Sequence, residues 1–140
     1  MNSNMNQLNQ RLAIVTGGNR GIGREIARQL ASKGLRVLIT CRDEDKGRQT
    51  VKEIQREGLS VELQVVDVND VQSIRQMIER VKDDFGRLDV LVNNAGIILD
   101  RGVSVLDVEE SVMRETFETN YFGALRMIQA SVPKRVTMTI

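Results

Sequence analysis

LAIVTGGNRGIG, residues 12–23, decides how this 140-residue chain folds. Its first part, Leu12 to Thr16, is a short apolar run with β-branched residues, the pattern of a buried strand. Glycines follow at 17, 18, 21 and 23, without proline, and then Ile22, Ile26, Ala27 and Leu30 fall on one helical face that Gly34 ends. A strand entering a helix through glycines presents free backbone N–H groups at a helix N-terminus. The aligned peptide dipoles leave roughly +0.5 charge there, so the turn suits a phosphate. Gly17 permits the tight turn, Gly21 lets a pyrophosphate approach the backbone, and Gly23 lets the helix pack closely on the sheet. These are the roles of a dinucleotide-binding turn, spaced here G-x-x-x-G-x-G. Gly18 to Gly23 also has P-loop spacing, but Arg24 and Glu25 stand where that motif needs Lys and Ser or Thr. The groups that would hold a γ-phosphate and Mg²⁺ are missing, which argues against a nucleotide triphosphatase.

Outward from this stretch, strands and helices alternate. RVLIT (36–40) reads as a second strand. Residues 43–57 form a charged helix with Val51 and Ile54 inside, closed by Gly58. VELQVVDV (61–68) is a third strand, and Val71, Ile74, Ile78 and Val81 stripe a third helix that Gly86 closes. LDVLVNN (88–94) is a fourth strand. Such alternation predicts βαβ units and a parallel sheet covered on both faces. A helical bundle is disfavoured because the apolar runs are too short and too rich in Val and Ile. Past residue 96 comes a loop, then a long helix from about Glu110 to Val132 with Met113, Phe117, Asn120, Tyr121, Ala124 and Ile128 along one side. Pro133 breaks it, and RVTMTI (135–140) reads as a strand. Residues 1–10, rich in Asn and Gln, are expected to be a disordered tail, leaving 11–140 as a single dinucleotide-binding domain.

Composition narrows the chemistry. Net charge is +1 with both signs scattered, and no basic stripe or aromatic platform suggests nucleic acid. No apolar run approaches a membrane span. Cys41 is the only cysteine and there is no histidine, so an internal disulfide, the usual zinc sites and a Ser-His or Cys-His nucleophile are excluded. The lone cysteine fits a cytoplasmic protein. A second unusual segment, NNAG (93–96), lies at the end of the fourth strand. Consecutive asparagines are poor strand formers but can cross-link loops, and Gly96 lets the backbone pass close to a ligand. In open α/β sheets ligands bind off the carboxyl ends of the strands, where both unusual segments lie.

About 20 residues past the glycines, an NAD site carries an acid for the ribose 2′-OH. Here that neighbourhood is Thr40-Cys41-Arg42, without an acid, while Arg42 and Arg20 offer cations for a 2′-phosphate. The residues therefore predict NADP over NAD. Asp43 is the competing acid, better explained as a helix N-cap or first-turn residue. Cys41 is expected to be a packing residue near the adenine end.

TGGNRGIG and NNAG, with DV (67–68) between them, resemble the short-chain dehydrogenase/reductase family from about Leu12 to Val132. TGGNRGIG followed by VLITCRDEDKG is most similar to carbonyl-reductase-type members. The resemblance implies an α/β, Rossmann-type doubly wound parallel sheet with strand order 3-2-1-4(-5). It also implies NADP-dependent hydride transfer between the cofactor and a small carbonyl or alcohol substrate. Asp67 would bond the adenine amino group and Val68 would flank the ring. Asn93 would steady the cofactor-side loop, Ala95 and Gly96 would approach the ribose, and Thr16 would tie the first strand to NNAG. Asn19, Arg20, Gly21, Ile22 and Gly23 would line the phosphate turn after Gly17.

Of the family's catalytic set, Asn120 in TNYFG matches the N-x-x-G helix, with Gly123 as its second element. Tyr121, the only tyrosine, has Leu125 and not a lysine four residues on, so the catalytic tyrosine is not carried onto it. Ser131 falls on the helix rather than at a strand end. The chain is therefore expected to be a cofactor-binding half, truncated before the catalytic Ser, Tyr and Lys, with non-catalytic NADP binding as the alternative function. Family resemblance also points to association between copies through the 110–132 helix.

Overall fold

Leu12–Thr16, five buried residues in a row, form β1 at the interior of the sheet in the computed structural model, which describes residues 10–132. β1 pairs in parallel with β2 (Arg36–Cys41) from Leu12↔Arg36 to Thr16↔Thr40. On its other side it pairs with β4 (Val90–Val92) from Ala13↔Val90 to Val15↔Val92. β2 pairs in turn with β3 (Val61–Val65), which makes the order β3-β2-β1-β4, all parallel. This is the Rossmann-type order expected from the sequence. Helices α1 (Gly21–Ser32), α2 (Glu44–Gln55) and α3 (Val71–Arg80) make the crossovers. α3 runs into a wide π-type turn, Val81–Phe85, closed by Gly86 at φ +75°. The last helical stretch comprises α4 (Glu110–Phe117), a second π-type turn (Glu118–Gly123) and α5 (Ala124–Ser131).

Because successive strand residues face opposite sides, β1 feeds two cores. Leu12 and Ile14 join Leu38, Ile74, Met77 and Met127 under α3 and α5, while Ala13 and Val15 join Ala27, Ile39, Val51 and Ile54 under α1 and α2. Each fully buried aliphatic side chain contributes roughly 1.5–3 kcal/mol, so the two cores hold the sheet rigid beneath its loops.

Several expectations need correction. β3 ends at Val65 and not at 68: the Val66 N–H still donates to the Cys41 carbonyl at 3.0 Å, and then Asp67 accepts from the Asn69 N–H at 2.9 Å and turns the chain. β4 has three residues, shorter than 88–94. Ile22 and Val71 begin their helices beyond the covered sheet and are 76% and 50% exposed; Gly23, Ala31 and Met77 take the buried places instead. On the last helical stretch the packed face is Thr119, Gly123 and Met127, while Phe117, Tyr121 and Ile128 are exposed. Of the expected tail, residues 1–9 lie outside the described residues, as does the expected strand 135–140. Gln10 is described, and its side-chain amide donates to the Gly34 carbonyl at 2.6 Å.

Candidate functional site

A cleft of about 780 Å³ opens over the carboxyl ends of the strands. Its floor is the glycine turn (Gly17, Asn19, Arg20, Gly21, Ile22). One side is Thr40, Cys41, Arg42, Asp43 and Lys46, another is Val66, Asp67 and Val68, and the last is Asn94, Ala95, Gly96, Ile97 and Thr119. Segments far apart in sequence meet here because parallel strands all deliver their following loops to one edge.

The start of α1 differs from its neighbours. Asp43 caps α2 by accepting from the Lys46 N–H at 3.0 Å, and Asp70 caps α3 by accepting from the Gln72 N–H at 2.9 Å. α1 has Arg20 at its N-cap, no side-chain cap and no acid in its first turn. The amides of Gly21, Ile22 and Gly23 find no acceptor among the described residues. A helix end normally satisfies these donors, so an external anion is their natural partner. Gly21 has φ +55°, and a Cβ there would meet nothing within 4 Å, so its backbone faces open space. Gly17, at φ +63°, is closed in: its Cβ would lie 3.0 Å from the Ala95 Cα. At Gly23 a Cβ would collide with the Gly17 carbonyl and the Asn94 amide. These two glycines serve packing, whereas Gly21 serves access.

Thr16, 1% exposed, ties the turn to the 93–96 segment. Its hydroxyl oxygen accepts from the Asn94 and Ala95 N–H groups at 3.0 and 2.9 Å, and its proton points to the Val92 carbonyl at 3.4 Å. Of the two asparagines expected to cross-link the loops, Asn94 supplies the side-chain tie to the turn. Asn94 Nδ2 donates to the Thr16 and Gly17 carbonyls at 3.1 and 3.2 Å. Asn93, one residue past the end of β4, is exposed. The two asparagines are adjacent and alternate in direction, so only one can reach the turn.

Arg20 and Arg42 both line the cleft and are exposed, and Lys46 joins them. Asp43, committed to capping α2, lies 3.6 Å from Lys46 Nζ. Its carboxyl is held below the usual value by the Lys46 backbone N–H first. Cys41 is buried with its thiol 3.1 Å from the Asp43 carbonyl. Burial foremost, then the Asp43 charge, pushes the thiol pKa up, opposite to what a reactive thiolate needs. Asp67 uses one oxygen for the Asn69 N–H, while its own N–H donates to the Ser73 hydroxyl at 3.0 Å. Val68 is buried against Gly123, whose added Cβ would come within 2.6 Å of it. Asn120 spends its whole amide on one residue: Oδ1 accepts from the Ile97 N–H at 2.7 Å and Nδ2 donates to the Ile97 carbonyl at 2.8 Å. It therefore acts on the 95–97 wall and holds it in place.

Three contributors were missed in the sequence. Lys46 sits in the first turn of α2, four residues past Arg42 in the segment that follows β2, a position that could have revealed it. Thr50 lies on the inner stripe with Ile54 and donates to the Asn19 carbonyl at 2.7 Å, tying α2 to the glycine turn. Thr119 is a buried hydroxyl one helical turn before Gly123. The last two look like ordinary helix residues until the fold brings their partners.

Residues 11–138 match the family model described as short chain dehydrogenase. The chain is 42% identical over 147 residues to a (+)-neomenthol dehydrogenase of Arabidopsis thaliana, covering 88% of this chain and 48% of that protein. It is 40% identical over 125 residues to carbonyl reductase (NADPH) 3 of Rattus norvegicus, covering 88% and 44%. Among solved structures, an actinorhodin polyketide ketoreductase variant with NADPH superposes with a TM-score of 0.83 at 35% identity, covering 89% of this chain and 47% of that one. The chain spans about half the length of the curated relatives it matches.

Proposed function

The chain belongs to the short-chain dehydrogenase family, and on that premise we propose that its cleft binds NADP(H) for hydride transfer between the dinucleotide and a carbonyl or alcohol substrate. The observation that carries this reading is the open N-terminus of α1: three amides without an internal acceptor, fronted by the empty space before Gly21. NADPH, when bound, supplies the hydride. The amides of Gly21, Ile22 and Gly23 bind the diphosphate; Arg20, Arg42 and Lys46 bind the 2′-phosphate. Asp67 accepts from the adenine amino group with the oxygen that Asn69 leaves free, and Val68 flanks the ring. Asn120 fixes the wall of Ala95, Gly96 and Ile97 toward the ribose. The relatives whose names or titles carry NADPH support the choice of dinucleotide. The absence of cysteines other than Cys41 is consistent with the cytoplasm.

A second reading, binding without turnover by this chain, is favoured by Tyr121. It is exposed on the π-type turn and is followed four residues later by Leu125, so no lysine supports it as a proton donor. Loss of a general acid typically costs about 10²- to 10⁴-fold. Calorimetric titration with NADPH and NADH, followed by a carbonyl panel read at the NADPH absorbance band, separates the two. Saturable NADPH binding with turnover supports the first reading, and binding without turnover supports the second. No uptake of either dinucleotide sinks both.

A further inference from the structure

We propose that Thr119 is a positioning residue for the adenine end of the cleft and that, with Asn120, it forms a clamp holding two opposite walls from one point. The proposal rests on the reading of the cleft as an NADP(H) site. The adenine wall, residues 66–70, follows β3, and the wall at 95–97 follows β4. These strands lie at opposite edges of the described sheet, three spacings or about 14 Å apart. Two consecutive residues nevertheless reach both walls. Asn69 Nδ2 donates to the Thr119 hydroxyl oxygen at 2.9 Å, and Asn120 exchanges its two bonds with the Ile97 backbone.

Adjacent residues on a helix point about 100° apart, so each can serve a different loop. They sit within the π-type turn Glu118–Gly123, a local widening often found at functional sites. Gly123, one turn past Thr119, brings this segment against Val68; any side chain there would collide with Val68 Cγ2. Thr119 is only 6% exposed, and a buried hydroxyl is retained where it has a partner. Its partner, Asn69, also orients Asp67, whose Oδ1 accepts the Asn69 N–H. The chain Thr119–Asn69–Asp67 thus sets the direction of the carboxylate that would meet adenine, and Thr119 itself borders the cleft.

The test uses the full chain and its Thr119→Val, Thr119→Ser, Asn69→Ala and doubly substituted Thr119→Val/Asn69→Ala variants. Each is titrated calorimetrically with adenosine 2′,5′-bisphosphate and with NADPH. Thr119→Val and Asn69→Ala are expected to weaken bisphosphate binding about tenfold, with Thr119→Ser restored to within about twofold and the double variant no weaker than either single. Affinities of both single variants within about twofold of the parent, or losses that add in the double variant, would overturn the proposal. Should Thr119→Val not fold, Asn69→Ala, at an exposed position, decides by the same threshold. If the parent binds neither NADPH nor the bisphosphate, the cofactor reading itself fails and this proposal falls with it. Normal parent binding with unaffected variants sinks the clamp alone.

Discussion

Arg42 stands where β2 ends and the cleft begins, and its neighbour Asp43, which also lines the cleft, spends its carboxylate on the cap of α2. An acid facing the ribose would repel a 2′-phosphate, but the one acid on this side, Asp43, is engaged by the Lys46 N–H and ammonium, and Arg20, Arg42 and Lys46 outnumber it along the lining. Replacing Arg42 or Lys46 by Ala is expected to weaken NADPH binding about tenfold each, since a charge-assisted bond contributes roughly 1.5–3 kcal/mol and exposure takes part of that back. NADH binding should be unchanged, and calorimetry at two salt concentrations checks both statements. Thr16 works at the same scale but for stability. Thr16→Val keeps the shape and strands the Asn94 and Ala95 amides. Urea unfolding should show a loss of about 2–4 kcal/mol, because each orphaned donor costs roughly 1–3 kcal/mol.

Among the elements, α1 is left uncapped where α2 and α3 are capped by aspartates. Arg20 has the extended backbone, φ −159° and ψ 166°, that an N-cap aspartate also adopts. Arg20→Asp should therefore stabilise the protein by about 0.5–2 kcal/mol while weakening NADPH at least tenfold, since the new carboxylate takes the amides meant for the diphosphate. Thermal unfolding and NADPH titration of the one variant would show the two effects moving in opposite directions. Where β4 begins, Asp89 accepts from the Leu12 N–H at 2.8 Å and pairs with Arg87. The Arg87 guanidinium first, then the Leu12 N–H, holds its carboxyl below the ordinary value. A lowered native pKa means the contribution is complete above the unfolded value, about 3.9, and is lost as pH falls through the native one. Asp89→Asn should flatten the acid limb of the stability–pH curve below about pH 4 and leave its shape near neutrality unchanged. An acid limb identical to the parent's would refute this role.

At the scale of the molecule, several large apolar side chains are left exposed. Phe117, Tyr121, Ile128 and Val132 are exposed on the last helical stretch, with Val105 and Leu106 on the preceding loop. β4 pairs only with β1 among the described residues, so within them its outer edge has no strand partner. Exposed apolar patches and open edges favour association. Sedimentation velocity is expected to show concentration-dependent self-association, and Tyr121→Glu combined with Ile128→Glu should shift it toward the monomer. A parent chain that stays monomeric at every concentration would contradict this expectation.

The strands, the crossovers and the phosphate turn were legible in the sequence because each rests on local rules: short β-branched runs, helical periodicity, and glycines where a backbone must turn or stay bare. Arg20, Arg42 and Gly96 could be picked out for the same reason, since each lies in a segment that follows a strand and the alternation locates those segments, whereas Asp67 was indicated by the family resemblance. Tertiary structure alone decided which face of a helix is inside, as Ile22 and Tyr121 illustrate, because a helix's buried side depends on where the sheet lies beneath it. It alone chose Asn94 over Asn93. It alone brought Thr119 to the cleft and tied Thr50 to the glycine turn, since their partners stand on loops that meet only when parallel strands deliver them to a common edge.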